Sequence, residues 1–168
     1  MIILVMGVSG SGKTTIGGKI AEMLGSAFVE GDTFHPPKNV TKMRGGSPLE
    51  DADRWPWLNA IARRIDEAIA EGSDLVVACS ALKSSYRQIL SGNRCDVHLV
   101  HLEGTPELIR SRMETRVHFM PPALMDSQFE VLEAPGASER AIVINVARSP
   151  DECVAAVKCK LRQRQVIP

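Results

Sequence analysis

The stretch GVSGSGKT, residues 7–14, is the most informative motif of this chain. It fits the pattern G-x-x-x-x-G-K-[ST] and lies between an apolar run, Ile2–Met6, and a helical pattern, which is where this motif forms a phosphate-binding loop. Gly10 and Gly12 allow the backbone to curl so that successive N–H groups point at phosphate oxygens. The helix that follows adds the positive end of its dipole. The sequence therefore predicts binding of a nucleoside triphosphate.

The motif also predicts a role for individual residues of the loop. Lys13 is expected to reach the β- and γ-phosphates and to act in catalysis, and the hydroxyl of Thr14 is expected to ligate Mg²⁺. The residues of this loop predicted to bind ATP are Gly7, Val8, Ser9, Gly10, Ser11, Gly12, Lys13, Thr14 and Thr15. The chain lacks the guanine-reading tetrapeptide N-K-x-D, which favours ATP over GTP. Its 168 residues are few for a motor or transport ATPase, so a small-molecule kinase is favoured.

The overall composition excludes several kinds of partner. Twenty basic residues balance twenty acidic ones, so no net charge attracts nucleic acid or an anionic membrane. The four cysteines are scattered without metal-ligand spacing, which suits a reducing cytoplasm. The first apolar run is too short to span a membrane. The length favours a single domain over residues 1–168.

Four further apolar runs resemble the first: Ala27–Glu30 and residues 75–79, 97–102 and 142–146. Each is short and continuous, as strands buried on both faces of a parallel sheet are. Helical patterns alternate with these runs; two end at Gly25 and Gly72, and two begin at Pro106 and Pro150. The sequence therefore predicts an α/β fold with a five-stranded, mostly parallel sheet. Ligands of such sheets bind at the carboxyl ends of the strands.

The stretch GDTFHPPKN, residues 31–39, follows the second strand. Asp32 is placed to hold Mg²⁺ or to accept the proton of an attacking hydroxyl, and a helix cap or Asx turn explains it equally well. His35 taken alone favours a surface loop. No second His or Cys lies nearby at ligand spacing, so a zinc site is not expected.

Two later stretches supply cations. Arg54 lies in PLEDADRWPWL, among acidic residues that can cap a helix. It is either part of a solvated helix start or a ligand of an anion. Trp57 of the same stretch is expected to anchor the helix entry in the core. In CSALKSSYR, Lys83 and Arg87 are four residues apart and are expected to share a helix face. Two interpretations are possible: both cations are solvated, or they form a pair that faces an anionic acceptor.

In chain order, the motifs GVSGSGKT, GDTFHPPKNVTKM, PLEDADRWPWL, CSALKSSYR and HFMPPALMDSQFEVLE closely resemble those of the gluconokinases, which are short P-loop kinases. The resemblance spans roughly residues 3–135. It implies a three-layer α/β/α fold similar to shikimate and nucleoside-monophosphate kinases. It also implies that ATP with Mg²⁺ phosphorylates D-gluconate to 6-phosphogluconate, which feeds the pentose phosphate pathway. Homodimers are common in the family, so a homodimer is a possible assembly.

The chemistry of gluconate suggests roles for individual residues. Asp32 is expected to orient or deprotonate the 6-hydroxyl. Arg54 is expected to hold the single carboxylate, because a guanidinium can bind it through two parallel bonds. His35 and Lys83 contact hydroxyls or the transferred phosphate. The substrate-binding residues implied are Asp32, His35, Lys42, Arg54, Ser80, Lys83, Arg87 and Gln128. The implied ligands of Mg²⁺ are Thr14 and Asp32.

Arginines that follow the fourth strand are candidates for binding the nucleotide. In the resembling kinases such arginines lie along the nucleotide or on a lid, here approximately residues 113–127. Arg112 is then expected near adenine, and Arg116 is expected to close over the phosphates as a catalytic cation; a solvated basic face is the alternative. The spacing from Arg116 to the H-F-M motif is one residue shorter than in the family. Arg148 lies in a loop expected along adenine, or in a plain turn.

Two other functions fit parts of the sequence. A kinase of shikimate or of another small hydroxy acid usually carries D-x-D directly after the second strand and G-G-G in its substrate domain, and both are absent here. A nucleotide-switched binding protein would keep the phosphate loop and would hydrolyse ATP slowly, whether or not a sugar acid is present.

Overall fold

The computed structural model of the chain describes residues 1–114 and 122–168, and of residues 122–125 it describes the backbone alone. Its sheet is built from the five predicted segments: β1 Ile2–Met6, β2 Ala27–Glu30, β3 Leu75–Ala78, β4 Val97–Glu103 and β5 Ile142–Asn145. All pairings are parallel, and the strand order is β2-β3-β1-β4-β5. The predicted α/β fold with a parallel sheet is confirmed.

Helices connect the strands and cover both faces of the sheet. They are α1 Lys13–Leu24, α2 Pro37–Arg44, α3 Asp51–Ala70, α4 Ser84–Leu90, α5 Pro106–Glu114, α6 Pro122–Val131 and α7 Pro150–Gln163, with 3₁₀ turns at Gly31–Phe34 and Ala137–Glu139. Gly25 ends α1 in the left-handed conformation, and Pro106 and Pro150 begin α5 and α7 as predicted. In the described ranges no helix is both long and apolar enough to span a bilayer.

The core has two layers because successive residues of a strand point to opposite faces of the sheet. Ile3 and Val5 of β1 pack with the apolar sides of α1, α5 and α7. Ile2 and Leu4 pack with α3 and α4 on the other face. Trp57 is buried in this second layer, and its Nε1 donates to the carbonyl of Gly31, 2.7 Å away. This bond ties the start of α3 to the end of β2, as the sequence predicts for Trp57.

Arg87 is a buried structural residue of α4. Its side chain is 1% exposed, and its guanidinium donates to both carboxylate oxygens of Glu139, at 2.5 and 3.0 Å. Nη1 also donates to the carbonyls of Ala81 and Leu82. Lys83 precedes α4 as its N-terminal cap residue. The interpretation of Lys83 and Arg87 as two cations on one helix face, aimed at one anion, is therefore wrong.

Replacing Arg87 by Met is expected to destabilise the fold by about 3 kcal/mol, because it leaves the Glu139 carboxylate and two carbonyls without their donor. The free energy of unfolding in urea measures this change. Arg63→Met, an exposed position on α3, is the matched control and should stay within about 0.5 kcal/mol of the unmodified chain. A cost below about 1 kcal/mol for Arg87→Met would contradict a structural role for this residue.

Candidate active site

The phosphate loop joins β1 to α1 through glycines in conformations that other residues rarely adopt. Gly10 has φ +80° and Gly12 has φ +93°, which side chains with a Cβ populate only with strain. A Cβ on Gly10 would also lie 2.9 Å from Cγ of Met113. The loop leads directly into α1, whose first residue is Lys13. The described geometry is that of a cradle for phosphate oxygens at a helix N-terminus.

Lys13 folds back over this loop. Its Nζ donates to the carbonyl of Val8, 3.0 Å away, and the side chain is half-buried. Burial lowers the pKa of Lys13 below its usual value, and the nearby Asp32 carboxylate opposes that shift. The ammonium is thus already held at the mouth of the loop, beside the carboxylate that follows β2.

One cleft opens on the nucleotide side of the loop. It has a volume of about 270 Å³ and includes the predicted residues Gly10, Ser11, Gly12, Thr15, Arg112 and Arg148 in its lining. Nη2 of Arg112 donates to the carbonyl of Val146, the residue after β5, at 2.5 Å. The structure thus brings Arg112 and Arg148 together beside the loop, where the sequence predicts adenine to lie.

A second cleft, of about 100 Å³, opens on the other side of the loop and is called here the acceptor cleft. The predicted residues in its lining are Ser9, Lys13, Asp32, His35, Arg54, Ser80 and Gln128. They come from the phosphate loop and the first residue of α1, from the segments that follow β2 and β3, from the first turn of α3 and from α6. The amide oxygen of Gln128 accepts a hydrogen bond from the backbone N–H of Ser9 at 2.7 Å. The phosphate loop therefore forms one wall of this cleft.

His35 and Asp32 lie side by side in the acceptor cleft. The ring of His35 stacks on Trp57 with centroids 4.2 Å apart and planes inclined by 16°. Its Nε2 lies 4.0 Å from Oδ1 of Asp32, whose side chain is 69% exposed. Burial lowers the pKa of His35 below its usual 6.5, an effect that Asp32 opposes. The imidazole is therefore neutral at pH 7, next to an accessible carboxylate.

Two of the predicted cations are held by carboxylates at the start of α3. Nζ of Lys42 lies 2.7 Å from Oδ2 of Asp53, and Nζ of Lys83 lies 2.8 Å from Oδ1 of Asp51. Their hydrogen bonds lower the pKa of both aspartates. Neither lysine lines the acceptor cleft. The structure does not bring Lys42, Lys83 or Arg87 to the site that the sequence assigned to them.

Arg54 lies in the same turn and is bound differently. Its Nη2 donates to the carbonyl of Leu49 at 3.2 Å, and its guanidinium lies 5.7 Å from the ring centroid of Tyr86. Within residues 1–114 and 122–168, no carboxylate is found in an ion pair with Arg54. Arg54 thus brings a positive charge into the acceptor cleft without a direct ion pair to a described acid, although its charge reaches Asp51 and helps to lower the pKa of that carboxyl.

The oxygen donors near the loop fit the chemistry of Mg²⁺, which prefers hydroxyl and carboxylate ligands. Thr14 is exposed in the first turn of α1, and Asp32 is exposed at the end of β2. Glu30, which the sequence analysis missed, has a buried Oε2 that lacks a hydrogen-bond partner among the described residues. Its carboxylate acts on the charge of Lys13. An acid at the end of a predicted strand is the signal that would have identified it.

Arg116, the predicted catalytic cation, and the shortened spacing before His118 lie outside the described residues. The same is true of the central part of the predicted lid over residues 113–127. The described flanks are the end of α5 and the start of α6, which are joined by an ion pair at 2.9 Å between Arg110 and Asp126.

Comparisons with known proteins agree with this geometry. A family model described as an AAA domain matches residues 2–135. The thermosensitive gluconokinase of Escherichia coli (strain K12) is 44% identical over an alignment of 169 positions, which covers 97% of this chain and 90% of the relative.

Solved structures give the same result. A gluconokinase from Sinorhizobium meliloti 1021 superposes with a TM-score of 0.86 at 44% identity, covering 96% of this chain and 91% of that one. The shikimate kinase of Aquifex aeolicus vf5, at a TM-score of 0.62 and 16% identity over 100% of both chains, shares the fold. This chain therefore belongs to the AAA-domain family and, within it, to the gluconokinases.

Proposed function

We propose that this protein transfers the γ-phosphoryl group of ATP to the 6-hydroxyl of D-gluconate. The proposal is supported by kinship with gluconokinases and by two clefts that meet at one phosphate loop. A donor nucleotide on one side and a small acceptor on the other would both reach Lys13. This is the arrangement that in-line phosphoryl transfer needs.

The observation that carries the choice of acceptor is that Arg54 forms no direct ion pair with a described carboxylate, although its charge reaches Asp51. Gluconate has one carboxylate, and a guanidinium binds a carboxylate through two parallel hydrogen bonds. Lys42 and Lys83 are already paired with Asp53 and Asp51, so a substrate anion would have to displace an existing ion pair to reach them. Arg54 has no such pair in the described part of the chain, which makes it the cation of choice for the carboxylate.

The described side chains suggest how the reaction proceeds. Asp32, exposed in the acceptor cleft, takes the proton of the attacking hydroxyl, while Lys13 balances the charge of the transferring group. Ser80 and Gln128 line the same cleft and supply hydrogen bonds to hydroxyls of the acceptor. Thr14 and Asp32 would hold Mg²⁺, which neutralises charge on the phosphates when bound. Catalysis is then mainly positioning and charge stabilisation.

Other parts of the proposal extend beyond the acceptor cleft. Arg112 and Arg148 bind the nucleotide from the neighbouring cleft, and Arg116 closes over the phosphates as part of a lid at approximately residues 113–127. The whole chain acts as one kinase domain. Homodimer formation and a cytoplasmic location are proposed from kinship with the gluconokinases.

A coupled assay of ADP release tests the proposed reaction. With ATP and Mg²⁺, we expect turnover with gluconate and only background hydrolysis with shikimate, glycerate or nucleoside monophosphates. The Lys13→Met variant, which loses the phosphate-binding ammonium, should show no turnover above that background. Release of ADP that gluconate does not stimulate would contradict the proposal and would favour a nucleotide-switched protein. Stimulation by shikimate or glycerate instead would identify a kinase of another hydroxy acid.

Substitutions of the cations test the carboxylate site. Arg54→Ala should raise KM for gluconate about 10- to 100-fold, because a charge-assisted hydrogen-bonded pair is lost. KM for ATP should change little, since Arg54 lies outside the nucleotide cleft. Arg54→Lys should give an intermediate value, because a lysine keeps the charge and loses the planar fork.

Substitutions of two lysines in α2 serve as a control and as an alternative for the Arg54 variants. Lys38→Ala removes an exposed charge of the same helix turn and is the matched control. Lys42→Ala tests whether Lys42, rather than Arg54, binds the carboxylate of gluconate. A large rise in KM for gluconate in Lys42→Ala, together with an unchanged KM in Arg54→Ala, would assign the carboxylate to Lys42.

A further inference from the structure

We propose that Asn39 is a positioning residue that fixes the tautomer of His35, with the proton on Nε2, so that a neutral N–H donor faces Asp32. The tautomer follows from contacts within the chain. Only the use of that donor by a substrate rests on the function proposed above.

The orientation of the Asn39 amide is set by α3. Asn39 is 1% exposed in α2, and its Nδ2 donates to the backbone carbonyl of Asp53 at 2.8 Å. The opposite orientation would place the amide oxygen of Asn39 against that carbonyl oxygen, and two acceptors repel each other. Nδ2 therefore faces both Asp53 and the neighbouring ring of His35.

The same amide nitrogen lies 3.5 Å from Nδ1 of His35. An amide NH₂ group has two hydrogens, so one bonds to Asp53 and the other points towards the ring. Nδ1 must then act as an acceptor, because a protonated Nδ1 would place two donors against each other. In a neutral imidazole whose Nδ1 is an acceptor, the proton is on Nε2.

The ring of His35 has little freedom to escape this arrangement. Its side chain is 5% exposed and stacks on Trp57, which is itself anchored to Gly31 through a 2.7 Å hydrogen bond. Rotation of the ring by a half-turn would take Nδ1 away from Asn39 and Nε2 away from Asp32.

The fixed donor has a consequence for the acceptor. Nε2 of His35 and Oδ1 of Asp32 are 4.0 Å apart, which is beyond hydrogen-bond distance, and both line the acceptor cleft. One hydroxyl group can satisfy both: its oxygen accepts from Nε2–H, and its own hydrogen is donated to Asp32. The pair would orient that hydroxyl so that its remaining lone pair is free to attack phosphorus.

Nitrogen NMR of the chain labelled with ¹⁵N-histidine tests the tautomer directly, without any substrate. The His35 signals are assigned by their loss in His35→Gln. We expect a protonated Nε2 and an unprotonated Nδ1 in the unmodified chain. Asn39→Leu removes the amide donor at a similar volume, so that no donor faces Nδ1, and should let the proton move to Nδ1 in part of the molecules. A protonated Nδ1 in the unmodified chain would overturn the proposal, whatever the variants do.

Thr41→Val is the matched control on the same helix. Thr41 is exposed and its hydroxyl bonds to the carbonyl of Pro37, so this variant should leave the His35 tautomer unchanged. A reversed tautomer in Thr41→Val would show that any disturbance of α2 moves the proton, and would overturn the specific role of Asn39.

Kinetics then test what the tautomer does. Asn39→Leu should lower kcat with gluconate about tenfold, as the loss of a partner that orients a functional histidine does, with KM for ATP unchanged. An unchanged kcat in a variant whose Nδ1 carries the proton would overturn the positioning role. If the unmodified chain has no gluconate kinase activity, the proposed function fails, while the tautomer measured by NMR still stands or falls by itself.

Discussion

The left-handed backbone at Gly10 and Gly12 is the constraint on which the rest of the site depends. It turns the chain from β1 into α1 within a few residues and shapes a cradle for an anion at the start of the helix. Since β1 is the central strand, with β3 and β2 on one side, residues that follow those strands reach the loop from that side. Asp32 and Ser80 are therefore neighbours of Lys13, although they lie far apart in the sequence.

Charge pairing determines which cations remain available to a substrate. Asp51 and Asp53 occupy the first turn of α3, where carboxylates are favoured by the helix dipole, and each holds a lysine from another element. Arg54 lies in the same turn and keeps its charge without an acid partner among the described residues. The acids at this turn thus do two things: they cap α3, and they reduce three nearby cations to one that faces the acceptor cleft.

Much of the architecture could be predicted from the sequence because its signals are local. The phosphate loop, the five apolar runs and the prolines that begin α5 and α7 each depend on a few adjacent residues. The same holds for Asp32, His35 and Ser80, since the residue after a parallel strand lies at the ligand-binding edge of the sheet.

The partners of buried polar groups could not be predicted in this way. Arg87 binds Glu139, 52 residues away, and Lys83 binds Asp51, 32 residues away. Spacing along a helix identifies the face on which a cation lies and says nothing of the acid packed against it. Glu30 and Asn39 were missed for the same reason, because their significance comes from burial beside Lys13 and His35.

The central claim is that Arg54 and Asp32 hold the two ends of one acceptor across a cleft that the phosphate loop closes. A crystal structure of the chain with gluconate and a non-hydrolysable ATP analogue tests it most directly. We expect the gluconate carboxylate on the guanidinium of Arg54, and the 6-hydroxyl between Asp32, His35 and the γ-phosphate. A carboxylate bound to Lys42 or Lys83, or a gluconate molecule outside the acceptor cleft, would contradict it.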